Sequence, residues 1–118
     1  MTTTELRCGR RTVALHRLRD GRPDVAPVLR LHGLGGRAGE PGPNGLEAWP
    51  GAVWGLDFSG HGASCRPVGG GYCPEVLMAE ADAALAHLGP AFVTGWGVGA
   101  YVGLLVGGAR PDLVAGLV

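Results

Sequence analysis

Glycines that directly follow short apolar runs are the feature that most restricts how this chain can fold. The chain has 118 residues, of which 23 are glycine and nine are proline. Such a bias can indicate disorder, but here the glycines separate apolar runs, as at residues 28–31, 52–56 and 100–106. We therefore expect a packed core with tight turns, and the length allows one domain at most.

The order of the apolar segments predicts strands that alternate with helices. We predict strands at residues 6–8, 12–18, 28–31, 52–56, 91–94 and 113–118, and a short helical turn at 46–49. Apolar steps of three and four residues predict a helix from Pro74 to Leu88, with Glu80 on its polar outer face. Residues 98–107 are apolar all round, which predicts a second, buried helix.

This alternation is typical of an α/β fold. We expect a three-layer sandwich with a mostly parallel sheet, antiparallel strands at its N-terminal edge and helices on both faces. The last strand leaves an open apolar edge, which predicts self-association with other chains.

The charges and cysteines argue against several classes of function. Ten arginines balance ten acidic residues, so no basic patch indicates nucleic-acid binding, and without lysine a phosphate-loop NTPase is excluded. The three cysteines lack metal-ligand spacing, and we predict no metal site. The polar N-terminus and the lack of an apolar stretch of about 20 residues predict neither a secretory signal nor a membrane span, hence a cytoplasmic protein.

Two glycine-rich loops follow predicted strands. The first is His32-Gly33-Leu34-Gly35-Gly36, and the second is Asp57-Phe58-Ser59-Gly60-His61-Gly62-Ala63-Ser64. Both resemble loops of the α/β-hydrolase superfamily. The resemblance implies that His32 and Gly33 shape the first turn and that the Leu34 N–H faces an oxyanion, where glycines allow close main-chain approach. It implies for the second loop that Asp57 and Ser64 brace a tight turn built on Gly60 and Gly62.

The third loop, Thr94-Gly95-Trp96-Gly97-Val98-Gly99, lies where a strand turns into a helix. It resembles the nucleophile elbow G-x-S-x-G of the same superfamily. Gly95 and Gly99 match its flanking glycines, Val98 would supply the second oxyanion N–H, and Gly97 stands where the serine is needed. The resemblance runs from about residue 12 to the last residue, and implies that residues 1–118 are the N-terminal portion of one hydrolase domain.

Glycine at position 97 predicts that the chain does not hydrolyse esters, because acyl transfer needs an oxygen or sulfur nucleophile. The family's acid and histidine follow the nucleophile, whereas all four histidines here precede Gly97 and Asp112 is the only acid after it. The noncatalytic N-myc downstream-regulated branch of the family also carries glycine there. We therefore expect an inactive binding remnant or a fragment, with no catalytic residue, no cofactor and an ester-like small molecule as the candidate ligand.

Two other interpretations stay open. The complete form could be a carboxylic-ester hydrolase or acyl-transfer enzyme with another nucleophile, for which Ser64 and Cys73 are candidates. Alternatively, Gly95, Gly97 and Ala100 fit the dinucleotide fingerprint G-x-G-x-x-G/A. That fingerprint expects a carboxylate at the end of the next strand, whereas Asp112 lies before it.

Overall fold

A computed structural model describes residues 2–39, 48–65 and 73–117, in which six strands form one sheet and two helices pack against it. The strands are β1 (Thr2–Cys8), β2 (Arg11–Arg19), β3 (Val28–Leu31), β4 (Val53–Asp57), β5 (Ala91–Gly95) and β6 (Val114–Leu117). The helices are α1 (Pro74–Leu88) and α2 (Val98–Ala109). The predicted α/β class is confirmed, while residues 46, 47 and 118 of the predicted elements lie outside the described ranges.

β1 begins four residues earlier than predicted. The whole strand pairs with β2, from Thr2 opposite Arg17 to Cys8 opposite Arg11, and this includes its polar first half. The prediction of this strand rested on apolar residues, whereas an edge strand pairs with only one neighbour and tolerates a polar, exposed side.

The strand order is β1-β2-β4-β3-β5-β6, so β3 lies between two strands that follow it in the chain. β1, β2 and β4 pair antiparallel, whereas β4, β3, β5 and β6 are parallel. The mostly parallel sheet with an antiparallel N-terminal edge is therefore confirmed. The chain leaves β3 toward one side of the sheet and β5 toward the other, so their carboxyl ends form the switch point where open α/β sheets bind ligands.

The core lies between the sheet and the two described helices, which cover the same face and contact each other. The expectation of helices on both faces is therefore not met within the described ranges, because α1 and α2 bury their apolar sides against one face. Its strand residues alternate with residues of the opposite face, as a pleated sheet requires. The largest contributors are Leu15, Leu29, Leu31, Leu56 and Val93 from the sheet and Leu77, Leu85, Val102 and Val106 from the helices. On the opposite face, Ala38 packs over Gly55 and the Trp49 ring lies 5.1 Å from that of Phe92.

α2 is buried on one side only, so the prediction of a helix buried all round is wrong. Val102 and Val106 face the core, whereas the side chains of Tyr101 and Leu104 are 52% and 63% exposed. Within the described ranges α2 packs mainly against the sheet and α1, which leaves Tyr101 and Leu104 exposed. Neither helix in the described ranges has the length and apolar character that crossing a bilayer requires.

Candidate ligand-binding site

Gly97 joins β5 to α2 in a backbone conformation that side chains disfavour. Its φ is 59° and its ψ is −131°, and the residue is exposed. A Cβ atom at this position would meet only the Gly33 Cα, at 3.4 Å, which is ordinary contact. Space is therefore available, and glycine is favoured here because it adopts this strained turn at low cost.

The glycines on either side of this turn have a different role, because there the backbone segments touch. A Cβ atom on Gly99 would lie 2.1 Å from the Leu31 carbonyl oxygen, and one on Gly95 would lie 2.7 Å from the Gly99 carbonyl carbon. Any side chain at Gly99 would push α2 away from the end of β3. These two glycines therefore hold the start of α2 against the sheet.

The loop after β3 forms a tight turn beside Gly97. The Gly36 N–H donates to the Gly33 carbonyl at 2.9 Å, and Gly35 has a φ of 81°, which together define a type II turn. Leu34 takes the second position with a side chain that is 70% exposed. Gly33 packs against Trp96, since a Cβ there would lie 3.3 Å from the indole Cδ1.

The Leu34 and Val98 N–H groups are among the main-chain donors at this switch point that make no backbone hydrogen bond within the described ranges. Val98 is the first residue of α2, where N–H groups have no acceptor inside the helix and carry partial positive charge. Such donors can stabilise a carbonyl or carboxylate oxygen. Gly97 offers no side chain between them that could attack a bound acyl group.

His32 and His61 hold the loops after β3 and β4 together. His32 is buried, and its Nε2 accepts the Phe58 N–H at 3.1 Å while its Nδ1 faces the Gly33 carbonyl at 2.6 Å. His61 Nε2 accepts the Gly35 N–H at 2.9 Å, and its Nδ1 faces the Ser59 carbonyl at 3.1 Å. Because a backbone N–H can only donate, both rings are neutral and carry their proton on Nδ1.

Asp57 organises the loop after β4. Its Oδ1 accepts the Ala38 N–H at 2.7 Å, and its Oδ2 accepts the Ala63 N–H at 3.0 Å and faces His16 Nε2 at 2.6 Å. Burial acts to raise the pKa of this carboxyl, but the two N–H groups and His16 outweigh it, so the pKa lies below its ordinary value. A Cβ on Gly62 would lie 2.3 Å from the Asp57 Cγ, which explains glycine there.

Ser64 closes the same loop against β2. Its hydroxyl donates to the Asp57 carbonyl and accepts the Ala14 N–H, the latter at 2.8 Å. Gly60 and Gly62, between these two residues, have φ angles of 80° and 49°. The Ser64 hydroxyl both donates to and accepts from the backbone, so it is not free to attack a substrate.

Glu80 is fully buried, so its predicted place on the outer face of α1 is wrong. Its Oε1 accepts the Ser59 N–H at 2.8 Å, and its Oε2 pairs with the Arg11 Nε at 2.9 Å. The helical periodicity is present, but the loop after β4 and the start of β2 cover that side of the helix. A buried carboxylate that is paired and hydrogen-bonded in this way fixes loop position.

Cys73 and Asp112 are the remaining candidates. Cys73 is the exposed N-cap residue of α1. Asp112 precedes β6 and pairs with the Arg110 Nε at 3.4 Å, so it lies at the amino end of that strand. The described ranges contain no group of three or more histidine, cysteine or acidic side chains that could hold a metal ion.

Comparison with known proteins identifies the fold. No protein-family model matches the sequence, and no curated protein matches it. Among solved structures, the chain is similar to a thioesterase domain from the curacin biosynthetic pathway, with a TM-score of 0.78 and 23% identity over 99% of this chain and 44% of that one. It is similar to E-2-(acetamidomethylene)succinate hydrolase, with a TM-score of 0.78 and 23% identity over 98% of this chain and 42% of that one.

A third similar structure, mouse alpha/beta hydrolase domain-containing protein 10, gives a TM-score of 0.74 and 20% identity over 99% of this chain and 48% of that one. The chain therefore has the N-terminal portion of the α/β-hydrolase fold. It spans less than half the length of each of these structures.

Proposed function

We propose that this chain binds a small molecule with an ester or carboxylate group at the switch point and does not hydrolyse it. The observation that carries the proposal is Gly97, which is exposed at the tip of the β5–α2 turn and has the backbone conformation expected of a nucleophile elbow. If this turn is the elbow, Gly97 supplies no side chain that could attack an acyl group. In this respect the chain resembles the noncatalytic N-myc downstream-regulated branch.

The Leu34 and Val98 N–H groups support the binding half of the proposal. Each is the oxyanion donor that the family resemblance implies, and neither is used by another backbone group in the described ranges. The turn that carries Leu34 is held by His61 through Gly35. A preformed turn lowers the entropic cost of binding.

Leu34 gives a sharp test of the binding site. Leu34→Pro removes the N–H, and the second position of a type II turn accepts proline, whereas Leu34→Ala keeps the N–H and removes only the side chain. We expect phenyl butyrate to quench Trp96 fluorescence in the parent chain and in Leu34→Ala, and about tenfold weaker binding in Leu34→Pro, equivalent to ~1.4 kcal/mol for one hydrogen bond. A Trp96→Phe variant shows whether the fluorescence change comes from Trp96. Equal affinity of the parent chain, Leu34→Ala and Leu34→Pro for phenyl butyrate would contradict the proposal.

An ester hydrolase in a longer form is the alternative, and the similar structures favour it. Two of them carry the names of a thioesterase and a hydrolase, and this chain covers less than half of each. The acid and histidine would then come from residues beyond the present sequence. Under this alternative, a longer chain would hydrolyse phenyl butyrate with a nucleophile other than residue 97.

Dinucleotide binding is the second alternative, and titration with NAD while Trp96 fluorescence is recorded distinguishes it. Saturable quenching at micromolar NAD, with none by phenyl butyrate, would favour it. Asp112 argues against it, because the ribose-binding carboxylate belongs at the carboxyl end of the following strand.

Self-association through β6 is a further part of the proposal. Among the described strands β6 lies at the edge of the sheet, and an apolar cavity of about 190 Å³ lies beside it between β5 and α2. Leu104 and Leu117 line this cavity and are exposed. A second copy of the chain, paired edge to edge, would cover both leucines and the free strand edge.

A further inference from the structure

Three polar side chains from neighbouring strands form a hydrogen-bonded row on the sheet face opposite the helices. Thr3 on β1 stands directly opposite His16 on β2, and its Oγ1 lies 2.8 Å from the His16 Nδ1. The other ring nitrogen, Nε2, lies 2.6 Å from Oδ2 of Asp57 at the end of β4. The row thus runs from hydroxyl to imidazole to carboxylate.

The neighbours of Asp57 fix where the protons lie in this row. The carboxylate accepts N–H groups from Ala38 and Ala63, so it is ionised and can only accept from His16. In its neutral form the His16 ring therefore carries its proton on Nε2, which leaves the bare Nδ1 as acceptor for the Thr3 hydroxyl. A base in this tautomer is ready to take the hydroxyl proton.

Burial along the row differs in a way that suits chemistry at Thr3. The side chains of His16 and Asp57 are 10% and 4% exposed, while Thr3 is exposed on the edge strand. Its neighbours Thr2 and Thr4 stand opposite Arg17 and Leu15, which offer no base. Of these three adjacent threonines, only Thr3 has its hydroxyl aligned with an oriented imidazole.

We propose that Thr3 is an acyl-acceptor site, with His16 as its general base and Asp57 as the positioning residue. The substrate class is an activated acyl donor such as an ester with a good leaving group. A bond forms between Thr3 Oγ1 and the acyl carbon, and the bond from that carbon to the leaving oxygen breaks. The hydroxyl proton passes to His16 Nδ1 and then to the departing oxygen, while Asp57 stabilises the imidazolium.

Acetylation by p-nitrophenyl acetate tests the proposal on the whole chain. Peptide mapping after incubation should locate a hydroxylamine-labile acetyl group on Thr3, formed about 100-fold faster than on Thr2 or Thr4, the low end for a positioned general base. The Met1 amine also reacts, but its amide resists hydroxylamine. Thr3→Val should abolish the labile label, whereas the matched control Thr4→Val should leave it unchanged.

Equal labelling of the three threonines would overturn the proposal, and this comparison within one chain does not depend on how any variant folds. His16→Gln should lower Thr3 labelling to the level of Thr4; unchanged labelling in a variant with native circular dichroism would also overturn it. Asp57→Asn should slow labelling and remove the downfield NMR resonance of the His16 Nε2–H while the amide spectrum stays that of the folded chain. Leu34→Pro, which tests the switch-point site, should leave Thr3 labelling intact.

Discussion

His32 and His61 each accept a hydrogen bond from the backbone of the loop that carries the other. The Phe58 N–H, in the loop that carries His61, donates to His32. The Gly35 N–H, in the loop that carries His32, donates to His61. The two rings lie 4.8 Å apart. This reciprocal pairing fixes the turn that presents the Leu34 N–H, so the geometry of the candidate site depends on side chains that do not face the ligand.

Removal of the His61 ring should destabilise the chain. His61→Ala leaves the Gly35 N–H without this acceptor, and we expect the free energy of unfolding to fall by about 1–2 kcal/mol. Urea denaturation measures this, with His87→Ala as the matched control because His87 is exposed on α1. A fall no larger than that of the control would show that the ring does not brace the loop.

Alanine at three glycines should give three distinct outcomes. Gly108→Ala, in α2 with no atom within 4 Å of the added Cβ, should stabilise by up to about 1 kcal/mol. Gly97→Ala should cost about 1–2 kcal/mol because its φ is positive. Gly99→Ala should cost more than either, since its Cβ overlaps the Leu31 carbonyl. Thermal unfolding measures the stability of the three variants. If Gly97→Ala lost as much stability as Gly99→Ala or more, the contacts described for Gly99 would be contradicted.

Acid should destabilise the fold through Asp57. Its pKa is lowered in the folded state, so its contribution is complete above the unfolded value of about 3.9 and is lost as pH falls through the folded pKa. Urea denaturation between pH 2 and pH 7 should show this loss, and Asp57→Asn should be less stable at pH 7 with a flatter acid limb. The matched control, Asp20→Asn, is exposed and should keep the parent's pH profile. A parent-like acid limb in Asp57→Asn would exclude this carboxyl as its source.

Gly97→Ser alone should not create an esterase. A serine there has the expected turn, but no histidine follows it in this sequence, and the one later acid, Asp112, precedes β6 at the strand's amino end. Hydrolysis of p-nitrophenyl butyrate should stay at the buffer rate, measured in a Thr3→Val background so that labelling of Thr3 does not contribute. Turnover well above buffer in Gly97→Ser, absent from Gly97→Ala, would show that the chain holds a base within reach of residue 97.

Charge at the β6 edge should reduce self-association. Leu104→Arg and Leu117→Arg place guanidinium groups beside the apolar cavity and should lower the sedimentation coefficient of any dimer to that of the monomer. Leu34→Arg is the matched control, because it adds the same charge at an exposed leucine away from β6. A monomer at all concentrations in the parent chain would end the proposal.

The apolar strands and the glycine turns could be predicted from the sequence, because their signals are local. Residues 28–31 and the helix from Pro74 to Leu88 agree with the structure to the residue. The conformation of Gly97 is a local property as well: a glycine between an apolar strand and an apolar helix predicts a sharp turn there. These features need no knowledge of which strands pair.

The contacts of His16 and Glu80 could not be predicted, because they depend on strand order. His16 reaches Asp57, 41 residues away, only because β2 pairs with β4. Glu80 is buried because Arg11, at the start of β2, and Ser59, in the loop after β4, reach it from positions distant in sequence. Helical periodicity assigns each side of a helix but does not show which loops will cover it.

The position of β3 between β4 and β5 has a consequence for synthesis on the ribosome. β4 emerges soon after β3, but the second neighbour, β5, ends only at Gly95. Translation adds about 5–20 residues per second, so one side of β3 stays unpaired in the nascent chain for several seconds. During that interval its open side can pair with the same segment of another nascent chain, so crowded polysomes are where this fold is most exposed to misassembly.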